Sequence, residues 1–88
     1  MIIAFTPHAW EDYNFWQDND VETINKINEL IKVITREPFM GKGKPEPLRG
    51  NLAGYWSRRI NGEHRLVYRV SGTGNSKTIT IIQARFHY

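Results

Sequence analysis

The chain contains no cysteine, which excludes disulfides, thiolate metal sites and cysteine nucleophiles. It also lacks any long apolar run, whereas a membrane-spanning helix needs about 20 consecutive apolar residues. No segment has the apolar stretch of a secretory signal either. A soluble, cytoplasmic protein with no membrane partner is expected. Internal repeats and low-complexity segments are absent. With 88 residues, 40% of them hydrophobic, one domain spanning 1–88 is expected, with a single modest core. A core of that size is marginal unless a partner or a second copy buries more surface.

Charge is abundant but unevenly placed. Residues 1–35 carry six acids against two lysines, a net of −4, and residues 36–88 carry ten Lys or Arg against three Glu, a net of +7. A basic half of this kind suits a polyanion such as RNA, DNA or an acidic protein tail. It also suits a plain solvated surface.

Residues 2–5 read as a short strand. Thr6-Pro7 then reads as a helix start, with Thr6 as the cap and Pro7 in the first turn, where its missing N–H costs nothing. Trp10, Tyr13 and Trp16 follow at a spacing of three, and that helix is expected to end near Gln17. Asp18, Asn19 and Asp20 are expected to break the chain, with Asp20 capping a second helix. Val21, Ile24, Ile27, Leu30, Ile31 and Ile34 form its apolar stripe. Both stripes are read as core. Residues 37–52 read as a long loop rich in Pro, Gly and Lys, and long ordered loops are often functional.

The rest reads as β: 53–60, 64–70 and 77–86, separated by Asn61-Gly62 and by the turn 71–76. A two-residue loop at Asn61-Gly62 would mix arginines and apolar residues on one face. A three-residue loop, Ile60-Asn61-Gly62 with Gly62 left-handed, instead aligns Trp56, Leu66, Tyr68 and Val70 on an apolar face. It gathers Arg59, Arg65 and Arg69 on the other. The second register builds a core and is preferred. In the last strand Ile82, Ala84 and Phe86 are expected to face the helices, and Gln83, Arg85 and His87 to face outward beside Arg59 and Arg65. The fold class is therefore α+β, ordered β-α-α-β-β-β. Two N-terminal helices lie on one face of a mainly antiparallel sheet, and the other face is basic and open.

That face, with Lys42, Lys44, Glu46 and Arg49 of the loop, suits metal-free RNA cleavage. The reaction needs a base for the ribose 2′-hydroxyl, an acid for the leaving 5′-oxygen and cations for the phosphate. Glu46 suits the base, His87 the acid and Arg65 the phosphate clamp. No metal or other cofactor is implied. Each residue has a plainer reading too. Pro45 and Pro47 around Glu46 either aim it or only stiffen a loop. His87 near the chain end is compatible with an idle histidine, and Arg65 with a pair to Glu63 or Glu46. His8 and His64 read as structural or solvated. Tyr88 suits stacking on a base or packing on the domain edge.

The stretch PFMGKGKPEPLRGNLAGYWSRRINGEHRLVYRV, the preceding INELIK and the terminal ARFHY closely resemble the YoeB toxins of the RelE superfamily. The resemblance runs over nearly the whole chain. It implies a RelE-like, microbial-ribonuclease-like fold and an endoribonuclease that cuts mRNA in the ribosomal A site and stops translation. It implies a YefM-like antitoxin whose acidic C-terminal segment wraps the toxin. Operator DNA would be bound only through the toxin–antitoxin complex, and a homodimer is a further implied state. By the same resemblance Glu46, Arg65 and His87 are the catalytic positions. Arg49, Arg59 and Tyr88 are supporting ones, with Lys44 a lesser one, and Arg85, from its expected place on the basic face, is a further expected phosphate contact. The visible departure is a longer turn from Ser71 to Lys77. Two other classes use the same basic face: a non-catalytic module that blocks the ribosome by occupancy, and a DNA-binding regulator. The second helix offers few cations for the latter.

Overall fold

The computed structural model describes residues 1–87. It contains β1 (Ile2–Phe5), α1 (Pro7–Asn19), α2 (Val21–Arg36), β2 (Glu46–Pro47), β3 (Trp56–Arg59), β4 (Arg65–Ser71) and β5 (Thr78–Gln83). The strands form one sheet in the order β1-β5-β4-β3-β2. Only β1 and β5 pair in parallel; the other pairings are antiparallel. The expected α+β architecture therefore holds, with one added strand at the edge, formed by Glu46 and Pro47 inside the segment read as loop.

The helix boundaries follow from side-chain caps. Thr6 Oγ1 accepts from the Ala9 N–H at 3.1 Å, and Pro7 opens α1. Asp18 and Asn19 do not break the chain; α1 runs through both, and Asp20 alone makes the corner. The Asp20 N–H donates to the Trp16 carbonyl at 2.8 Å, ending α1. Its carboxylate accepts from the Thr23 N–H at 3.1 Å and the Thr23 hydroxyl at 2.9 Å, starting α2. One residue satisfies end groups of two helices that would otherwise lack partners. The Thr23 backbone bond, followed by its hydroxyl, holds the Asp20 carboxyl below its ordinary value.

The core lies between the helices and one sheet face. Ile24, Ile27, Leu30, Ile31 and Ile34 of α2 and Ala9 and Trp16 of α1 meet Leu66 and Tyr68 of β4 and Ile79 and Ile81 of β5. Four expected core positions fall outside it: Val21, Trp10, Ile82 and Phe86. Val21, the first residue of α2, is 69% exposed. Trp10 is 51% exposed; it stacks on Tyr13 (ring centroids 5.6 Å apart) over the outer end of β1. Phe86 is 57% exposed; it lies beyond the end of β5 at Gln83, where its backbone turns left-handed at φ +66°.

Register explains the facing of Ile82. Val67 pairs with Gln83 but Tyr68 pairs with Ile81, so Ile82 is the extra residue of a bulge. A bulge shifts side-chain parity by one, so ahead of it Ile79 and Ile81, not Ile82, face the core, while beyond it the expected facing resumes. Ala84 is buried as expected. On β3–β4 the preferred faces hold: Trp56 pairs with Tyr68, and Arg59 with Arg65. The turn itself is shifted by one residue, to Asn61-Gly62-Glu63, because Ile60 pairs with His64 through a 3.0 Å N–H···O bond. Gly62 is not left-handed. Asn61 Oδ1 instead closes the turn, accepting from the Glu63 and His64 N–H groups at 2.8 and 2.9 Å, a role asparagine fills routinely.

The same parity drives Arg58 into the core beside Trp56. Arg58 is 0% exposed. Its Nε donates to the Tyr68 hydroxyl at 3.1 Å, its Nη1 to Lys42 O at 2.8 Å, and its Nη2 to Glu37 O at 2.5 Å and Met40 O at 2.8 Å. Tyr68 in turn donates to Pro38 O at 2.6 Å. The guanidinium thus sits at the C-terminal end of α2, where the helix dipole favours a cation. It ties segment 37–42 to the sheet. Burial pushes the Tyr68 phenol above its ordinary value, and the Arg58 bond and charge offset part of that rise. Gly43, at φ +90°, lies so close that an added Cβ would meet Leu30 Cδ2 at 2.9 Å and Arg58 Cβ at 3.1 Å.

Two outcomes are expected. Arg58→Met removes the donor from three part-buried carbonyls and the buried Tyr68 hydroxyl and lowers the unfolding free energy in urea by about 3 kcal/mol; Arg58→Lys, lacking the planar fork, does not restore it. For Asp20 the folded carboxyl titrates lower than the unfolded one, so its contribution is full above the unfolded value near about 3.9. It is lost as pH falls through the lower folded value. Asp20→Asn keeps the cap, and its thermal midpoint should fall less steeply below pH 4 than that of the parent chain.

Candidate active site

Glu46 reaches the sheet through a strained entry. Gly43 O accepts from the Arg59 N–H at 2.7 Å, and Lys44 then takes φ +52°, a left-handed conformation unusual for a side chain with a Cβ. Pro45 follows, and Glu46 pairs with Ser57 in β2–β3. Directly paired residues share a face. The row Glu46–Ser57–Val67–Gln83 therefore lies on the face opposite the helices, and Arg59–Arg65 form the next row. Sheet register alone brings the carboxylate of Glu46 to the same face as Arg59 and Arg65.

This face is basic but not fully open. Ser57, Arg65 and Val67 are buried there, whereas Glu46, Arg59 and Arg69 are exposed. Arg65, at 8% exposure, donates through Nη1 to Asn61 O at 2.8 Å and His64 O at 3.1 Å. Among the described residues, neither Glu46 nor Glu63 forms an ion pair with it. The β3–β4 turn therefore aims the guanidinium without neutralising it. Lys42 pairs instead with Glu29 of α2, which lowers the Glu29 carboxyl from its ordinary value through that hydrogen bond first.

The C-terminal segment is threaded back to this face. Asp12 Oδ2 accepts from the Ala84 N–H at 3.0 Å, and Trp16 Nε1 donates to Ala84 O at 2.8 Å. Gln83 Nε2 donates to Arg85 O at 2.9 Å. Phe86 turns left-handed at φ +66°, and its carbonyl accepts from the Arg65 N–H at 3.0 Å. His87, exposed, follows immediately. The residue before His87 is thus bonded to Arg65 itself.

Arg85 does not join this group. Its guanidinium carbon lies 3.5 Å from the centroid of Phe15 and 4.6 Å from that of Phe86, so it packs on α1 as a cation over aromatic rings. The left-handed step at Phe86 and the end of β5 at Gln83 separate it from the alternation expected of a continuous strand. Arg49 is exposed in the loop after β2, beyond the paired rows. Tyr88 lies outside the described residues. Sequence reasoning missed Arg58 and His64. The first had a visible signal, since the preferred parity already put Arg58 on the face of Trp56. The second had none, because its partner at Phe86 is 22 residues away.

The geometry has close counterparts. Residues 5–88 match the family model described as YoeB-like toxin of bacterial type II toxin–antitoxin system. The chain belongs to that family. Toxin YoeB of Synechocystis is 56% identical over 88 residues, covering 100% of this chain and 98% of that protein. The solved YoeB/ParE toxin from Agrobacterium tumefaciens is 56% identical, covers both chains fully and superposes with a TM-score of 0.96. YoeB of Staphylococcus aureus, 49% identical over 100% of this chain and 98% of its own, has been solved as a dimer (TM-score 0.89) and as a heterotetrameric complex with YefM (TM-score 0.88).

The strained entry to Glu46 can be tested on its own. Lys44→Ile puts a β-branched residue at positive φ and should cost about 1–2 kcal/mol. Lys44→Gly should leave the denaturation midpoint at or above that of the parent chain.

Proposed function

We propose that this chain is a ribosome-dependent endoribonuclease that cleaves mRNA in the ribosomal A site, acting in the cytoplasm and held in check by a YefM-like antitoxin. One observation carries the reading. Glu46 and Arg65 share a sheet face through strand register, and the Arg65 N–H bonds the carbonyl of Phe86, the residue before His87. This supports a reading in which three chain segments supply a carboxylate, a guanidinium and an imidazole to one surface.

Glu46 accepts the proton of the ribose 2′-hydroxyl, and that oxygen attacks the adjacent phosphorus. The bond to the 5′-oxygen breaks, and protonated His87 donates to it. The products are a 2′,3′-cyclic phosphate and a free 5′-hydroxyl. Arg65, preoriented by the turn carbonyls, stabilises the charge on the phosphoryl oxygens in flight. Arg59 and Lys44, exposed near Glu46, hold the flanking backbone phosphates, and Arg49 and Tyr88 extend that contact along the message. Arg85 is the weakest member of this set, since its guanidinium is engaged by Phe15. The basic half attracts the acidic segment of the antitoxin. Operator DNA is reached through that complex, and self-association follows the example of the S. aureus dimer.

Primer extension on an mRNA translated in a purified system tests the reading. A new 3′ end within the A-site codon is expected, and His87→Gln should abolish it with the fold intact, as should Glu46→Ala. Stalled ribosomes on uncut message would instead favour inhibition by occupancy and reduce Glu46 and His87 to binding residues.

A further inference from the structure

The segment that carries His87 takes a conformation it would not hold unaided. Phe86 is left-handed at φ +66° and largely exposed, so neither intrinsic preference nor burial of its ring accounts for the turn. Hydrogen bonds do, among them a long one from Gln83 Nε2 to the Phe86 carbonyl at 3.4 Å. Its carbonyl accepts from the Arg65 N–H at 3.0 Å. Its N–H donates to His64 Nδ1 at 2.7 Å.

His64 is itself held from several sides. Its ring meets Trp16 edge-on, centroids 4.7 Å apart, and lies 5.9 Å from Phe86. Its N–H is bonded to Asn61 Oδ1 at 2.9 Å. Its carbonyl accepts from the Ile60 N–H at 3.0 Å and from Arg65 Nη1 at 3.1 Å. One residue therefore touches both arms of the candidate site. Its backbone orients the Arg65 guanidinium, and its side chain orients the backbone leading into His87. To accept at Nδ1 the ring must carry its proton on Nε2.

We propose that His64 is a positioning residue: through Nδ1 it holds the Phe86 amide, and so sets where the chain presents His87 relative to Arg65. This rests on the nuclease reading for its consequence in catalysis, but the hydrogen bond is measurable without it. His64 takes no proton from substrate and gives none; it acts through the segment 86–87.

Two substitutions separate positioning from packing. His64→Phe keeps a ring against Trp16 and removes the acceptor. His64→Asn keeps an acceptor, Oδ1, near the place of Nδ1 and removes the ring. With ribosome-bound mRNA, His64→Phe should lower the single-turnover cleavage rate on the order of 10²-fold, the loss expected of a misplacement of about 1 Å. Ribosome affinity and melting temperature should stay near those of the parent chain. His64→Asn should recover most of the rate despite the smaller side chain. Phe86 amide exchange should accelerate in His64→Phe and stay slow in His64→Asn. A parent rate in His64→Phe, or an unrescued rate in His64→Asn at equal melting temperature, overturns the proposal. In the unsubstituted chain, nitrogen NMR in alkaline buffer should find His64 as the Nε2–H tautomer; an Nδ1–H tautomer overturns it with no variant needed. If the parent chain leaves mRNA uncut while the tautomer and Phe86 exchange are as expected, the positioning stands and the nuclease reading falls.

Discussion

A guanidinium buried without a carboxylate organises this small domain. Arg58 is fully enclosed, and its charge is met by the carbonyls of Glu37, Met40 and Lys42 and by the Tyr68 hydroxyl. A buried cation is costly unless every donor is satisfied. Here the partners are backbone groups that α2 and its following loop must leave unsatisfied in any case. The two needs cancel, and the loop is drawn onto the sheet. Gly43 is then pressed against Leu30 and Arg58, and Lys44 must turn left-handed to bring Glu46 to the edge of β3. The position of the carboxylate thus begins in the core.

The other half of the site depends on a second set of anchors. Asp12 and Trp16, buried on α1, grip the two polar groups of Ala84. Beyond that point the chain leaves β5, crosses to β4 and is held by Arg65 and His64. The functional face is therefore supported from the helix side of the sheet at both ends: by α2 through Arg58, and by α1 through Asp12 and Trp16. A domain of this size has little interior to spare. Using polar core residues as anchors lets the same small interior support the site.

Much of this was legible in the residues. Thr6-Pro7 and Asp20 mark helix starts by local hydrogen-bond chemistry, and the α2 stripe needs only its own spacing. The faces of β3 and β4 followed from asking which register buries apolar residues together. Reading failed where an event outside the segment changed the parity. The bulge at Ile82 reverses the expected facing of β5, and nothing in TITIIQ announces it. Arg85 left the basic face because Phe15, on another element, offers its guanidinium a ring. The Trp10–Tyr13–Trp16 spacing signalled a helix correctly, but not that Trp16 alone of the three would be buried, bonded to Ala84 from another element.

By itself the sequence determined the local elements, the absence of thiol chemistry, the basic second half and, through GKGKPEPL, WSRRI, EHRLVY and the terminal ARFHY, the family. These are properties of neighbouring residues, and a linear reading reaches them. Only the tertiary structure decided that Glu46 becomes an edge strand, that Arg58 is an internal anchor and that His64 bonds the chain ahead of His87. Each is a contact between segments distant in sequence. Its existence depends on loop closure, a bulge and a shared core, not on any single stretch of residues.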